Sequence, residues 1–290
     1  MTLPRNPKSH HRSETPVCVL SIAGSDNCAG AGVQADLKTC EASGTYCTTV
    51  ITAITAQNCY GVQEIEYVGD SLLEKQLTST LDTITADAVK IGLIPEEAAT
   101  DIVGEIITRY QLRNIVADPV LGPTSGGRWN THTEAIIKAM SRHIWPHCTV
   151  ITPNLPEFRT ICRVLGIDIR TGSTAHDDAA SALIEKTGVG SILLKGGHAV
   201  CEDCIDLLFT PTEKYSFSAR RIPAINTHGT GCVLSSAITC GLAHGLTISE
   251  AAAEAKRYVA RCLEISQKAK LTPVNGPLLH FPHIFAQDTV

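Results

Sequence analysis

The sequence predicts an α/β protein with a central, mainly parallel β-sheet covered by helices on both faces. Three observations carry that expectation. Short runs rich in Val, Ile and Leu alternate with longer segments of helical period, and strands buried on both faces read as such continuous apolar runs. The 290-residue chain is 43% hydrophobic and 18% charged, enough for a large buried core; this excludes a disordered chain, a collagen-like repeat and a disulfide-stapled miniprotein. No linker-like stretch or fixed-period repeat divides Pro16 from Val290, so a single domain over 16–290 is expected behind a tail of residues 1–15.

Each element has its own signal. Val17 to Ala23 is apolar and runs into Gly24-Ser25-Asp26, a strand followed by a turn. Between Ala31 and Ser43, Val33, Leu37 and Cys40 recur at helical spacing while Gln34, Asp36, Lys38 and Glu41 fall mostly off that stripe, and Gly44 closes the helix. Thr48 to Thr55 is rich in Val, Ile and Thr, hence a strand. Ala88 to Ile91 is a strand, Glu96 to Tyr110 a helix, and Asn114 to Ala117 a strand ending in Asp118-Pro119. Cys148 to Ile151 leads into Thr152-Pro153-Asn154. A helix around Asp177 to Lys186 precedes the strand Ser191 to Leu194, which ends at Lys195-Gly196-Gly197. Ile205 to Phe209 and Lys214 to Ser218 form a hairpin. Two helices follow, Gly231 to His244 and Ser249 to about Lys268, the second with Ala255, Tyr258, Val259, Cys262 and Leu263 along one stripe.

Composition also limits function. The net charge is −5 and the cations form no block, which argues against nucleic acid as a partner. The apolar runs are too short to span a membrane. The tail is polar and lacks the apolar segment of a secretory signal, so a mobile tail and a cytoplasmic protein are expected. In that compartment most of the twelve cysteines serve as small reduced hydrophobes. Cys201 and Cys204 form a lone C-x-x-C pair without the second pair of a zinc ribbon. Only Cys232 has a setting that suggests chemistry.

Ligands in such sheets bind outside the carboxyl ends of the strands. Asp26, Gln57, Lys90, Asp118, Asn154 with Glu157, and Lys195 all fall at or near those ends. The most informative segment is Asn226-Thr-His-Gly-Thr-Gly-Cys232, which opens a helix. Gly229 and Gly231 let backbone N–H groups converge at the positive end of that helix, an anion hole, although an ordinary glycine-rich helix start is also open. The loop is neither a Walker A motif nor a dinucleotide fingerprint. A thiol in the first helical turn is expected to have its pKa lowered by the dipole.

Eight segments then occur in order: Ser21-Ile-Ala-Gly-Ser-Asp26, Gly30-Ala-Gly-Val-Gln-Ala-Asp36, Thr55-Ala-Gln-Asn58, Ala88-Val-Lys-Ile-Gly92, Asp118-Pro-Val120, Thr152-Pro-Asn-Leu-Pro-Glu157, Leu194-Lys-Gly-Gly-His198 and Asn226 to Cys232. Together they closely resemble the hydroxymethylpyrimidine/phosphomethylpyrimidine kinases of thiamine biosynthesis, in the ribokinase-like superfamily. The resemblance runs from about Val17 to the last helix. It implies a three-layer fold with a small flap, a homodimer, and ATP with Mg²⁺ as phosphoryl donor. It implies two successive transfers, first to the hydroxymethyl oxygen of 4-amino-5-hydroxymethyl-2-methylpyrimidine and then to the resulting monophosphate.

The resemblance also assigns roles. Gln57 and Asp36 match positions that face the pyrimidine, with Gly24, Leu93 and Val120 lining the pocket and Asp26 as a further carboxylate for the ring edge. On the residues alone, Asp26 could equally close a turn, Asp36 could sit on a solvated helix face, and Gln57 could be a strand-end hydrogen bonder. Lys195 is expected to meet ATP phosphates, with Asn154, Thr227 and Thr230 around the nucleotide, unless it is a surface lysine. Asp118 and Glu157 match residues that organise Mg²⁺, although Asn154 and Glu157 could instead cap their own helix. Cys232, with Gly229 and Gly231 around the anion hole, is the expected base, where other ribokinase-like enzymes carry aspartate.

Two stretches depart from the family pattern: Asn27-Cys28-Ala29 stands where Pro-Ser-Gly is usual, and Thr124-Ser125-Gly126-Gly127 where Lys-Ser-Gly-Asp is usual. A pyridoxal kinase, with Cys204 or Cys201 near the flap, is the nearest alternative. A non-catalytic vitamin-binding protein is a second alternative, from a different class.

Overall fold

The structure is a computed structural model describing residues 15–122, 133–169, 175–197, 202–267, 269 and 271–280. Most of the N-terminal tail, the stretch from Thr124 to Gly127, and Cys201 lie outside the described residues. Nine strands form one sheet in the order β3-β2-β1-β4-β5-β6-β7-β8-β9. They are β1 (Cys18–Asp26), β2 (Tyr46–Asn58), β3 (Gly61–Tyr67), β4 (Ala88–Ile91), β5 (Ile115–Ala117), β6 (Cys148–Ile151), β7 (Ile192–Leu194), β8 (Asp203–Phe209) and β9 (Lys214–Arg220). The six strands from β2 to β7 run parallel, and β3, β8 and β9 extend the two sides antiparallel.

Alternation along the strands sorts the core into two layers. Leu20, Ile22, Val89 and Ile91 point to one face, where α2 (Asp70–Leu81), α3 (Glu97–Arg109), α4 (Thr133–His143), α5 (Leu155–Val164) and α6 (Ala175–Thr187) pack. Val19, Ala88, Val116 and Val150 point to the other, under α1 (Gly32–Ala42), α7 (Thr230–Ala243) and α8 (Ile248–Ser266). The period of two is what lets one strand feed both layers. β1 pairs with β2 on one side and β4 on the other, so the connections leave it in opposite directions. A crevice opens at the carboxyl end of such a switch point.

The alternating core strands, the terminal hairpin and the last two helices stand where the sequence places them. β3, α2, α4 and a short 3-10 turn at Trp145–His147 lie beyond that reading, while α5 is the helix that Asn154 and Glu157 were open to cap. The strand expected at Thr48 to Thr55 is also longer, reaching Asn58 and folding back on β3. β3 carries Gln63, Glu64 and Glu66 on the sheet edge, polar residues that guard an edge strand and hide its period. On α2 only Leu73 and Leu77 are buried, too narrow a stripe to stand out. Among the described residues no helix is long and apolar enough to cross a membrane.

Candidate active site

A cleft of about 660 Å³ runs along the carboxyl edge of the parallel strands. That volume suits a small organic ligand. Ser25, Asp26, Gln57, Leu93 and Val120 line one end. Asp118, Glu157, Lys195 and the turn from Gly229 to Cys232 line the middle, and Cys204, Asp206, Lys256 and Leu263 the far end.

At the first end, Gly24 and Leu93 form a close apolar wall; a Cβ on Gly24 would lie 3.1 Å from Leu93 Cδ2. Gln57 lines the cleft, and its side-chain amide makes no hydrogen bond to the described residues. Asp26 lies beside it, and most of the capacity of its carboxylate is taken by neighbouring donors. Oδ1 accepts from the Cys28 N–H at 2.8 Å, and Oδ2 accepts from Gly30 N–H at 3.0 Å and Ala31 N–H at 2.8 Å. Oδ2 also meets His228 Nε2 at 2.8 Å. The expectation of a carboxylate offered to the ring edge is corrected in part: Asp26 lines the cleft, but most of its bonds organise its own turn and tie it to the loop before α7.

Asp36 is corrected more sharply. It is fully buried and does not line the cleft. Oδ2 accepts from Lys90 Nζ at 2.9 Å and from Ser21 Oγ at 2.6 Å, and Oδ1 accepts from Ser236 Oγ at 2.6 Å. α1 is covered by α7, so the side that looks solvated from its sequence faces another helix and the sheet. Burial lowers the Lys90 pKa, but Asp36, with Cys232 and Asp118, together outweigh it and keep the ammonium charged.

In the middle, Asp118 Oδ1 accepts from Lys195 Nζ at 2.8 Å and from Thr152 Oγ1 at 3.0 Å. Burial raises the Asp118 carboxyl, but Lys195 and Lys90 outweigh it and hold it below the usual carboxylate range. Lys195 is thus a half-buried cation in the cleft wall, and its Nζ is 3.9 Å from Glu157 Oε2. Glu157 and Asn154 do cap α5: Glu157 Oε2 accepts from the Asn154 N–H at 2.7 Å, and Asn154 Oδ1 accepts from the Glu157 N–H at 2.8 Å. Burial pushes the Glu157 carboxyl up to about 7 despite Lys195.

Gly229 starts α7 with φ +82°, and a Cβ there would lie 1.7 Å from the Gly30 carbonyl oxygen. Only glycine permits this approach. A Cβ on Gly231 would lie 3.3 Å from Lys195 Nζ and 3.5 Å from Asp118 Oδ2, so the first turn of α7 sits against that ion pair. Thr230 Oγ1 donates to the Thr227 carbonyl at 2.7 Å, and Thr227 Oγ1 donates to Asn275 Oδ1 at 3.0 Å. Cys232 lines the same wall, yet its thiol is not acidic. Burial pushes it up to about 11, outweighing the help of Lys90, with Asp36 and Asp118 adding to the rise. The expectation from the helix dipole fails because desolvation is the larger effect here.

Three features of the site were not anticipated from the sequence. His228 bridges to Asp26, as described above. Lys90, in the cleft wall, forms a buried pair with Asp36 behind it. At the far end, Asp206 Oδ1 accepts from the Gly196 N–H at 2.8 Å while Oδ2 accepts from Lys256 Nζ at 2.7 Å, and Lys256 Nζ is 3.2 Å from Cys204 Sγ. The one available signal was an aspartate inside the apolar run Ile205-Asp-Leu-Leu-Phe209.

Comparison with known proteins adds the family. The family described as "Phosphomethylpyrimidine kinase" matches residues 26–278. A "Probable thiamine biosynthetic bifunctional enzyme, chloroplastic" from Oryza sativa subsp. japonica is 38% identical over 92% of this chain. The chain spans about half the length of such bifunctional relatives, 47% of this one. A "Hydroxymethylpyrimidine/phosphomethylpyrimidine kinase" from Rhizobium meliloti is 37% identical over 90% of this chain and 96% of its own. Among solved structures, an ADP complex of Bacillus subtilis pyridoxal kinase superposes with a TM-score of 0.81 at 29% identity, covering 93% of this chain and 100% of that one. The ordered motifs, the nine-stranded sheet and the cleft at its carboxyl edge agree with these matches, and the chain belongs to the phosphomethylpyrimidine kinase family.

Proposed function

We propose that the protein transfers the γ-phosphoryl group of ATP to the hydroxymethyl oxygen of 4-amino-5-hydroxymethyl-2-methylpyrimidine, and then phosphorylates the monophosphate to the diphosphate for thiamine biosynthesis. The observation that carries this reading is one continuous cleft joining an apolar end, lined by the Gln57 amide that no described residue engages, to a cationic turn built from Lys195 and the start of α7. Gln57 reads the ring edge, and Gly24, Leu93 and Val120 enclose it. Lys195 and the N–H groups of Gly229 to Gly231 gather the charge of the transferring group, the main task in a loose phosphoryl transfer. Cys232 Sγ, in its thiolate form, accepts the hydroxyl proton.

The carboxylates suit magnesium. Asp118 and Glu157 are hard oxygen donors on either side of Lys195, and Mg²⁺ needs few such ligands when phosphates and waters complete its shell. Among the described residues no three His, Cys, Asp or Glu side chains gather to hold a metal alone, so the ion would be shared with the nucleotide. Bound there, Mg²⁺ supplies charge neutralisation at the β- and γ-phosphates. We further infer one working domain over residues 16–290, a homodimer and a cytoplasmic location.

A second reading, pyridoxal kinase, is favoured by the likeness to the Bacillus subtilis pyridoxal kinase structure. Both are tested by ATP- and Mg²⁺-dependent turnover of hydroxymethylpyrimidine, its monophosphate and pyridoxal, with products separated by charge. Conversion of monophosphate to diphosphate supports the thiamine reading. Preference for pyridoxal supports the second. Tight binding without turnover of any of the three overturns both in favour of a binding protein.

A further inference from the structure

The ladder between β1 and β2 ends at the pair Asp26 and Thr55. β2 continues to Asn58 as the free arm of its hairpin with β3, and a bulge at Ala56 and Gln57 shifts its register. A bulge turns a side chain out of the regular alternation. The N–H and C=O of one strand residue point to the same side. At Gln57 that side is where β1 has already stopped.

Two side chains fill the gap. Asn27 Oδ1 accepts the Gln57 N–H at 2.8 Å, and Cys28 Sγ donates to the Gln57 carbonyl at 3.0 Å. Together they extend the β1 ladder by one residue pair through side chains. The turn that carries them is fastened in its own right. Asp26 takes the N–H groups of Cys28, Gly30 and Ala31, and Lys38 Nζ donates to the Ala29 carbonyl at 2.6 Å. Neither Asn27 nor Cys28 lines the cleft, whereas Gln57 does.

We propose that Asn27 and Cys28 are positioning residues that hold the backbone of Gln57, and so set the aim of its amide and the affinity for the pyrimidine. The proposal rests on the reading of Gln57 as the pyrimidine-facing residue. It gives the Asn27-Cys28-Ala29 stretch a function of its own: the side chains act as a clasp between turn and hairpin.

The test is steady-state kinetics on the full chain, with hydroxymethylpyrimidine and ATP varied in turn. Asn27→Ala is expected to raise the pyrimidine KM about fivefold, the scale of one net hydrogen bond. Cys28→Ala is expected to raise it about twofold, because a thiol is a weak donor. The two act on one residue, so the double variant is expected to fall short of or exceed the product of the singles rather than match it. The KM for ATP stays at its wild-type value. Asn27→Asp, which keeps an acceptor oxygen, and Cys28→Ser, which keeps a donor, are expected to restore the pyrimidine KM. Hydrogen exchange at the Gln57 amide is expected to speed up in Asn27→Ala whether or not substrate is present. An unmoved pyrimidine KM in the double variant, unchanged Gln57 exchange, or equal rises in both KM values would each overturn the proposal alone. A wild-type protein that turns over no pyrimidine overturns it together with the proposed function.

Discussion

The Asp36 carboxylate and the Lys90 ammonium stand 2.9 Å apart, and both side chains are completely buried. They join α1 to β4, with Lys90 in the same cleft wall as Cys232 and Asp36 behind it. Removing one partner of such a pair strands the other charge away from water. Lys90→Met is therefore expected to cost about 3–5 kcal/mol of folding stability. Adding Asp36→Asn to it removes the stranded charge, so the double variant is expected to be more stable than Lys90→Met. Urea unfolding of the two variants measures this, and a double variant less stable than the single would refute the pairing.

Ala29 adopts φ +56°, in the left-handed region. For an L-residue with a Cβ that conformation costs about 1–2 kcal/mol. The turn tolerates it because Ala29 N donates to the Asp26 carbonyl at 2.9 Å and Lys38 holds its carbonyl. Ala29→Gly relieves the clash but makes the unfolded chain more flexible, so the expected gain is below about 1 kcal/mol. A rise in the urea midpoint at constant slope would show it; a fall would mean the turn does not keep this geometry in solution.

These two sites show what was legible in the sequence. β1, β4, β5, β6 and β7 announce themselves because strands buried on both faces are mainly apolar, even with Ser21 in β1 and Lys90 in β4. Asp26, Asp118 and Lys195 could be placed near the cleft because they end such strands. Their partners could not. Asp36 meets a lysine 54 residues away and a serine 200 residues away, and no local pattern encodes contacts made when α1, α7 and the sheet come together. The helical period marked Asp36 as off the apolar stripe, which is correct as patterning and misleading about burial. For Cys232 the local helix start was visible, whereas the desolvation that governs its acidity belongs to the assembled wall.

The Asp26 carboxyl couples stability to acid. Burial raises its proton affinity, but the hydrogen bonds from His228, Ala31 and Cys28 outweigh that and lower its pKa. A carboxyl depressed in the folded state contributes stability that is full above its unfolded pKa, near ~3.9, and is lost as pH falls through the lower folded value. Asp26→Asn is expected to lose about 2 kcal/mol at neutral pH, the scale of bonds to an ionised group. The gap between parent and variant should then narrow only in acid. Denaturation series at several pH values measure it, and a gap constant through the acid range would exclude Asp26 as the source.

The Cys232 thiol gives the sharpest test of chemistry. With burial pushing it up to about 11, only a small thiolate fraction exists near neutrality, and that fraction grows about tenfold per pH unit up to its pKa. If the thiolate takes the hydroxyl proton, kcat should climb with pH from about 7 towards 10. The measurement needs saturating ATP, because burial pushes the Glu157 carboxyl up to about 7, and in its proposed role beside the nucleotide a change in its charge would alter binding separately. Cys232→Ala is expected to be slow and to lose the climb. Cys232→Asp, a base already ionised at neutral pH, is expected to retain some turnover with a flat profile. A parent enzyme with a flat kcat profile, or an alanine variant with unchanged turnover, would leave Cys232 as a packing residue and give the proton another acceptor.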